Sequence, residues 1–179
     1  MQSEPALSVS LIREVCQQGR VIDIGGGTSL LSGRLLDAGY SVAVLDISES
    51  ALVRTRERIG SRATEVQWIV SDVTAAPALG TFDVWHDRAV FHFLTEPADR
   101  ASYAALLART VHPDGHAIIA TFATDGPERC SGLPVCRYDS GTLGNELGDA
   151  FELINSVRET HFTPRGKPQA FQYSVFRRR

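Results

Sequence analysis

Residues 20–24, Arg-Val-Ile-Asp-Ile, are short, β-branched and apolar and run directly into Gly25-Gly26-Gly27-Thr28-Ser29, after which Leu31, Leu35 and Ala38 recur at helical spacing. A buried strand that turns through glycines into a helix is the opening unit of a parallel sheet with crossover helices. The rest of the chain keeps that rhythm. Gly39-Tyr40 closes the helix, Ser41–Asp46 forms a second apolar strand ending on a carboxylate, and Ser48 caps a helix through Leu52, Thr55 and Ile59 with Arg54, Arg56, Glu57 and Arg58 mostly outside, until Gly60 stops it. Val66–Val70 and Phe82–Trp85 predict strands three and four. Pro97 opens a helix carrying Tyr103, Leu106, Leu107 and Val111, which breaks at His112-Pro113-Asp114-Gly115 before a fifth strand, His116–Phe122. Residues 123–137 carry no period and are expected to form a lid or binding loop. Leu143 and Leu147 predict a short helix, and Phe151–Thr160 and Ala170–Phe176 an antiparallel hairpin linked through Thr163–Pro168.

Composition narrows the function classes. With 179 residues, 43% of them hydrophobic, the chain can bury one core and is expected to be a single domain over 1–179. Eighteen basic against 21 acidic side chains leave no broad positive field for nucleic acid, and Arg177-Arg178-Arg179 reads as a solvated tail. Cys16, Cys130 and Cys136 form no CxxC pair, so neither a disulfide framework nor a zinc ribbon is indicated and no metal is expected. No stretch is long enough to span a bilayer and no leader follows Met1, so the expectation is a cytoplasmic protein without membrane partners.

Chemistry gathers at the strand ends. A glycine turn lets a ligand approach the backbone. Asp46, 19 residues beyond Gly27, stands where an open α/β sheet places an acceptor for the hydroxyls of an adenosine ribose. Asp72 ends the third strand and Asp23 precedes the glycines. Three carboxylates in one crevice suit a cation better than a pyrophosphate, and Leu30 stands where the nicotinamide-cofactor fingerprint needs Gly or Ala.

Val21–Thr28, Asp46, Ser71-Asp72-Val73 and Pro113-Asp114-Gly115-His116 together resemble the successive motifs of class I S-adenosylmethionine-dependent methyltransferases, from about residue 5 to the C-terminus. The resemblance implies a Rossmann-like α/β fold: a seven-stranded, mostly parallel sheet of order 3-2-1-4-5-7-6, its last strand antiparallel, with helices on both faces. It implies S-adenosylmethionine as cofactor, held by Asp23, Gly25, Gly26, Gly27, Asp46, Ile47, Asp72 and Val73. In these roles the glycines pack on the methionine and ribose, Asp46 holds the ribose diol, Asp72 meets the adenine amino group, Val73 lies beside the adenine and Asp23 sits near the ammonium. Ser29 replaces the family's third glycine. Relatives commonly carry an additional segment ahead of Pro5–Ser8, and its lack here implies a truncated chain or an open cofactor site.

In that family the end of strand four faces the departing methyl, which draws attention to His86, Asp87, Arg88 and His92. His86 or His92 is a candidate base, oriented by Asp87, while the alternative for His92 and its flanking phenylalanines is a place in the core. Arg88 joins the candidate acceptor-binding set with Arg129, Cys130, Cys136 and Tyr138 of the long loop. Neighbouring cations would lower the thiol pKa for a thiophilic substrate, or Arg129 and Arg137 would pair with a carboxylate; the alternative for the thiols is half-buried packing. The leading expectation is methyl transfer to a small molecule by direct displacement. A protein-lysine methyltransferase and a nonenzymatic cofactor-binding module are the alternatives.

Overall fold

The computed structural model describes residues 4–163 and 166–179; Met1–Ser3 and the Pro164-Arg165 part of the late link lie outside the described residues. Strands β1 (Arg20–Ile24), β2 (Ser41–Asp46), β3 (Val66–Val70), β4 (Phe82–Arg88), β5 (Val111–Phe122), β8 (Phe151–Phe162) and β9 (Pro168–Arg178) form one sheet of order β3-β2-β1-β4-β5-β9-β8. Strands β1 to β5 run parallel, and β9 is antiparallel to both β5 and β8. A small separate hairpin, β6 (Arg129–Cys130) and β7 (Leu133–Pro134), occupies the long loop. Without it the order is 3-2-1-4-5-7-6, as expected.

Alternating side chains on these strands feed two cores. Val21, Val42, Val44, Val84, Ile118, Ala120 and Val175 meet helices α1 (Ala6–Val15), α2 (Leu31–Asp37) and α3 (Glu49–Ile59) on one face. Ile22, Ala43, Leu45, Trp85, Ala117, Ile119 and Phe176 meet α4 (Pro97–Thr110) and α5 (Ser140–Leu147) on the other. Near-continuous apolar strands are what burial on both faces demands. Sequence signals set the helix ends. The Ser48 side chain accepts from Ala51 N–H at the start of α3, Pro97 opens α4, and Asp139 with Thr142 makes a capping box on α5.

Helix α1 and strand β5 are among the elements that differ from the sequence reading. Helix α1 was not expected, and it packs Leu11 and Ile12 fully against the sheet. Strand β5 begins at Val111, paired with Phe82, because the register shift between Phe82 and Val84 accommodates the expected break inside the strand. His112 there joins Asp83 at 2.8 Å, at the end of β4 remote from its C-terminus.

Candidate functional site

At the C-terminal ends of β1 to β4 lie two cavities that share Ile24 and Gly25. One, about 670 Å³, is walled by Asp46, Ile47, Asp72 and Val73 on one side and by Val90, Phe93 and Leu133 on the other. The other, about 480 Å³, lies among α1, the glycine turn and the β8–β9 pair, with Ser8, Asp23, His86, Arg88, Glu159 and Tyr173 in its wall.

The glycine turn is built to be bare. Gly25 has φ +67°, and a Cβ there would stand 2.1 Å from Val90 Cγ2. A Cβ on Gly26 would meet Asp23 Oδ2 at 2.3 Å, and one on Gly27 would meet Asp46 Oδ2 at 2.5 Å. Asp46 receives Gly27 N–H on Oδ2 at 2.9 Å and Ser48 N–H on Oδ1 at 2.8 Å, so its carboxylate is fixed in orientation at the cavity edge. Asp72 is exposed, and its Oδ1 takes both the N–H and the hydroxyl of Thr74. Ile47 stands 71% exposed beside them in the same cavity wall. Ala89 closes β4 at φ 71°, a conformation that L residues rarely adopt, and turns the chain so that Val90 and Phe93 form the facing wall.

The second cavity has a polar floor. Asp23 Oδ1 and His86 Nδ1 are 2.7 Å apart and nearly inaccessible, and His86 Nε2 is 2.9 Å from Ser8 Oγ. The carboxylate makes Nδ1 the donor, which leaves Nε2 to accept the Ser8 hydroxyl in the neutral ring. Asp23 Oδ2 is buried without a hydrogen-bond partner, an acceptor suited to a ligand cation. Arg88 donates through Nε to the Tyr173 hydroxyl at 2.9 Å, approaches Glu159 at 3.7 Å and lies over the Phe171 ring. His161 and the 63% exposed Phe162 complete the rim.

The structure thus places Asp23, Gly25, Gly26, Asp46, Ile47, Asp72, Val73, His86 and Arg88 around the cavities, with Gly27 hydrogen-bonded to Asp46. Other candidates stand elsewhere. His92 is wholly buried between Phe93 and Phe122, and its Nδ1 accepts Phe122 N–H, so it belongs to the core and not to the cleft. Burial lowers its pKa to about 4. Asp87 is also wholly buried and accepts from Val90 N–H, Phe91 N–H and the Tyr103 hydroxyl, which makes it an anchor of the turn after β4 and not a partner of His86.

The loop candidates Arg129, Cys130, Cys136 and Tyr138 also stand outside both cavities. Cys136 packs on the core formed with α4 and α5, whereas Cys130 packs on the opposite one, so the thiols do not converge. Burial pushes the Cys130 thiol up, against the expected activation by cations. Arg129 turns to Gly132 O, Arg137 to Gly126 O and Glu128, and Tyr138 is buried against Phe91. What the loop brings to a cavity is Leu133 and Pro134. Sequence reading passed over these two, and also Ser8, Glu159 and Tyr173, whose positions only the tertiary fold reveals.

The His92 environment gives a pH prediction. Its folded pKa lies below its unfolded value near 6.5, so the unfolded chain binds the extra proton and stability from this site falls as the pH drops from about 6.5 to about 4. Relative to His92→Gln, the wild type should lose about 3 kcal/mol over that window, read by denaturant unfolding at several pH values. A constant difference would show that the ring is accessible to protons in the folded state.

A family model described as a methyltransferase domain matches residues 21–115, from β1 into β5. The chain belongs to that family. Its sheet is that of the class I S-adenosylmethionine-dependent methyltransferases, and solved structures share the fold. A protein solved in work on the conversion of a disulfide bond into a thioacetal group during echinomycin biosynthesis is 20% identical, with a TM-score of 0.79 over 99% of this chain and 82% of that one. The 1,6-didemethyltoxoflavin-N1-methyltransferase of Burkholderia thailandensis, which holds 1,6-didemethyltoxoflavin and S-adenosylhomocysteine, is 21% identical, with a TM-score of 0.79 over 97% of this chain and 77% of that one. The N-methyltransferase NodS of Bradyrhizobium japonicum is 15% identical, with a TM-score of 0.79 over 97% of this chain and 93% of that one. No curated protein matches the chain. Among the described residues no helix is long and apolar enough to cross a membrane, and no cluster of His, Cys, Asp and Glu is placed to hold a metal ion.

Proposed function

We propose that this chain transfers a methyl group from S-adenosylmethionine to a small-molecule acceptor. The observation that carries the reading is the pairing of Asp46 and Asp72 at adjacent strand ends with the apolar wall of Ile47, Val73, Val90 and Phe93 in one cavity, joined at Gly25 to a second cavity. Asp46 suits the ribose hydroxyls and Asp72 the adenine edge, while the unpartnered Asp23 Oδ2 offers an acceptor to the ammonium. The bare glycine turn leaves room for the methionine tail.

When bound, the cofactor supplies a sulfonium-activated methyl group to an acceptor lone pair. The residues around it have positioning work rather than bond-making work. Arg88, Glu159, His161 and Tyr173 orient the acceptor from the β4, β8 and β9 side, and His86, tied to Asp23 and Ser8, is the candidate for taking its proton by way of the Ser8 hydroxyl. The likeness in fold to the 1,6-didemethyltoxoflavin-N1-methyltransferase, which acts on a small molecule, supports this class of acceptor.

The test is formation of S-adenosylhomocysteine from S-adenosylmethionine in the presence of pooled small amines, phenols, thiols and carboxylates, with lysine-containing peptides as a parallel pool. Turnover with a small-molecule pool is expected. Turnover with the peptides alone would favour a protein-lysine methyltransferase, and cofactor binding without turnover in any pool would favour a nonenzymatic module.

A further inference from the structure

Helix α3 holds the glycine turn through its carbonyls. The Thr55 hydroxyl, wholly buried, donates to Gly27 O. One turn on, Arg58 donates through one guanidinium nitrogen to Thr28 O at 3.0 Å and through the other to Ser29 O, and also reaches Thr55 Oγ1 at 3.3 Å. Three consecutive carbonyls are therefore directed toward α3. From the β2 side, Asp46 accepts Gly27 N–H. Both polar groups of the Gly27 backbone are thus engaged, one by the strand and one by the helix.

The consequence is orientation. In a trans peptide the N–H points opposite to the preceding carbonyl, so turning the Gly27 carbonyl to α3 fixes the plane of the peptide that leads into Thr28. Thr28, Ser29 and Leu30 line the cavity beside α1, whereas Asp46, Ile47 and Asp72 line the other. Glycines supply no side chain to hold such a turn in place, and each would otherwise have many backbone states. A ligand that relies on this loop then needs the loop already set.

We propose that Thr55 and Arg58 are positioning residues for the amino-acid tail of the cofactor: by fixing the loop carbonyls from α3 they set the loop surface against which the tail binds, while the adenosine half depends on Asp46 and Asp72. This rests on the cofactor reading above. Neither residue lines either cavity. Their effect on affinity should therefore appear with a ligand that has the tail and vanish with one that lacks it.

S-adenosylhomocysteine and adenosine are the probes, titrated calorimetrically into wild type, Thr55→Val, Thr55→Ser and Arg58→Gln, with thermal unfolding recorded for each. Thr55→Val is nearly isosteric and removes the donor to Gly27 O. It should weaken S-adenosylhomocysteine about tenfold and adenosine by less than about twofold, with Thr55→Ser restoring wild-type affinity. Arg58→Gln, at an exposed position that spares the core, should weaken the tail-bearing ligand in the same selective manner and provides the test if Thr55→Val does not fold. Equal losses for both ligands, or no loss in either variant, would overturn the inference while leaving the cofactor assignment standing. Failure of the wild type to bind either ligand would overturn the cofactor assignment and the inference with it.

Discussion

Asp46→Ala should lower affinity for S-adenosylhomocysteine by about 100-fold, or ~3 kcal/mol, the larger part of two charge-assisted hydrogen bonds to a ribose diol. The same carboxylate holds Gly27 N–H and Ser48 N–H, so its removal also loosens the glycine turn and the start of α3. Asp46→Asn is the milder change, since its amide oxygen can still accept from one of these two N–H groups. It keeps an oxygen acceptor but loses the charge, and about a tenfold loss is expected. Isothermal titration gives the affinities, and thermal unfolding tells whether the fold persists. Wild-type affinity in a folded Asp46→Ala protein would remove Asp46 from the ligand site.

Asp87→Ala is expected to damage the fold rather than the chemistry. The carboxylate accepts from Val90 N–H at 2.8 Å, Phe91 N–H at 3.1 Å and the Tyr103 hydroxyl at 2.7 Å, and that hydroxyl in turn accepts from Trp85 Nε1 at 2.8 Å. Truncation leaves these donors in a fully buried site, at a cost of about 3 kcal/mol or more. In a chain of this size that lowers the melting temperature by roughly 10 °C. Burial raises the Asp87 pKa to about 6. The folded value lies above the unfolded one, so between about pH 6 and 3.8 the native state binds the extra proton and this site adds stability as the pH falls. Asp87→Asn lacks that gain, and the wild type should improve relative to it by about 3 kcal/mol on acidification across the window. An unchanged difference, or an Asp87→Ala protein as stable as wild type, would contradict the anchoring role.

The two buried groups work against each other in acid. His92 withdraws stability as the pH falls and Asp87 returns it, so on acidification His92→Gln should lose less stability than the wild type and Asp87→Asn more.

The architecture was legible wherever local pattern and tertiary position agree. Apolar strands, the glycine turn and capping residues such as Ser48 are dictated by burial on two faces and by helix ends, and both leave marks in short windows of sequence. The carboxylates at the ends of β2 and β3 were legible for the same reason, since strand ends in a parallel sheet share one crevice.

Other features depend on rotations and contacts that no short window encodes. The turn at Phe91–Phe93 buries Phe91 and His92 while Phe93 reaches the cavity, so a histidine that looked available lies in the core. Cys130 and Cys136 are close in sequence yet pack on opposite faces of the sheet. Thr55 and Arg58 looked like packing and a solvated face, because their partners are backbone carbonyls 28 or more residues away. Ser8 and Tyr173 come from the two ends of the chain and enter the cavity only because α1 and β9 flank the same strand ends.

The central claim is that this cleft is shaped for S-adenosylmethionine and its product rather than for another adenosine-bearing cofactor. Parallel calorimetric titrations of the wild-type chain with S-adenosylhomocysteine and NAD test it most directly. Saturable binding of S-adenosylhomocysteine at one site, with no heat from NAD beyond dilution, is the predicted result. Saturable binding of NAD with none of S-adenosylhomocysteine would contradict it.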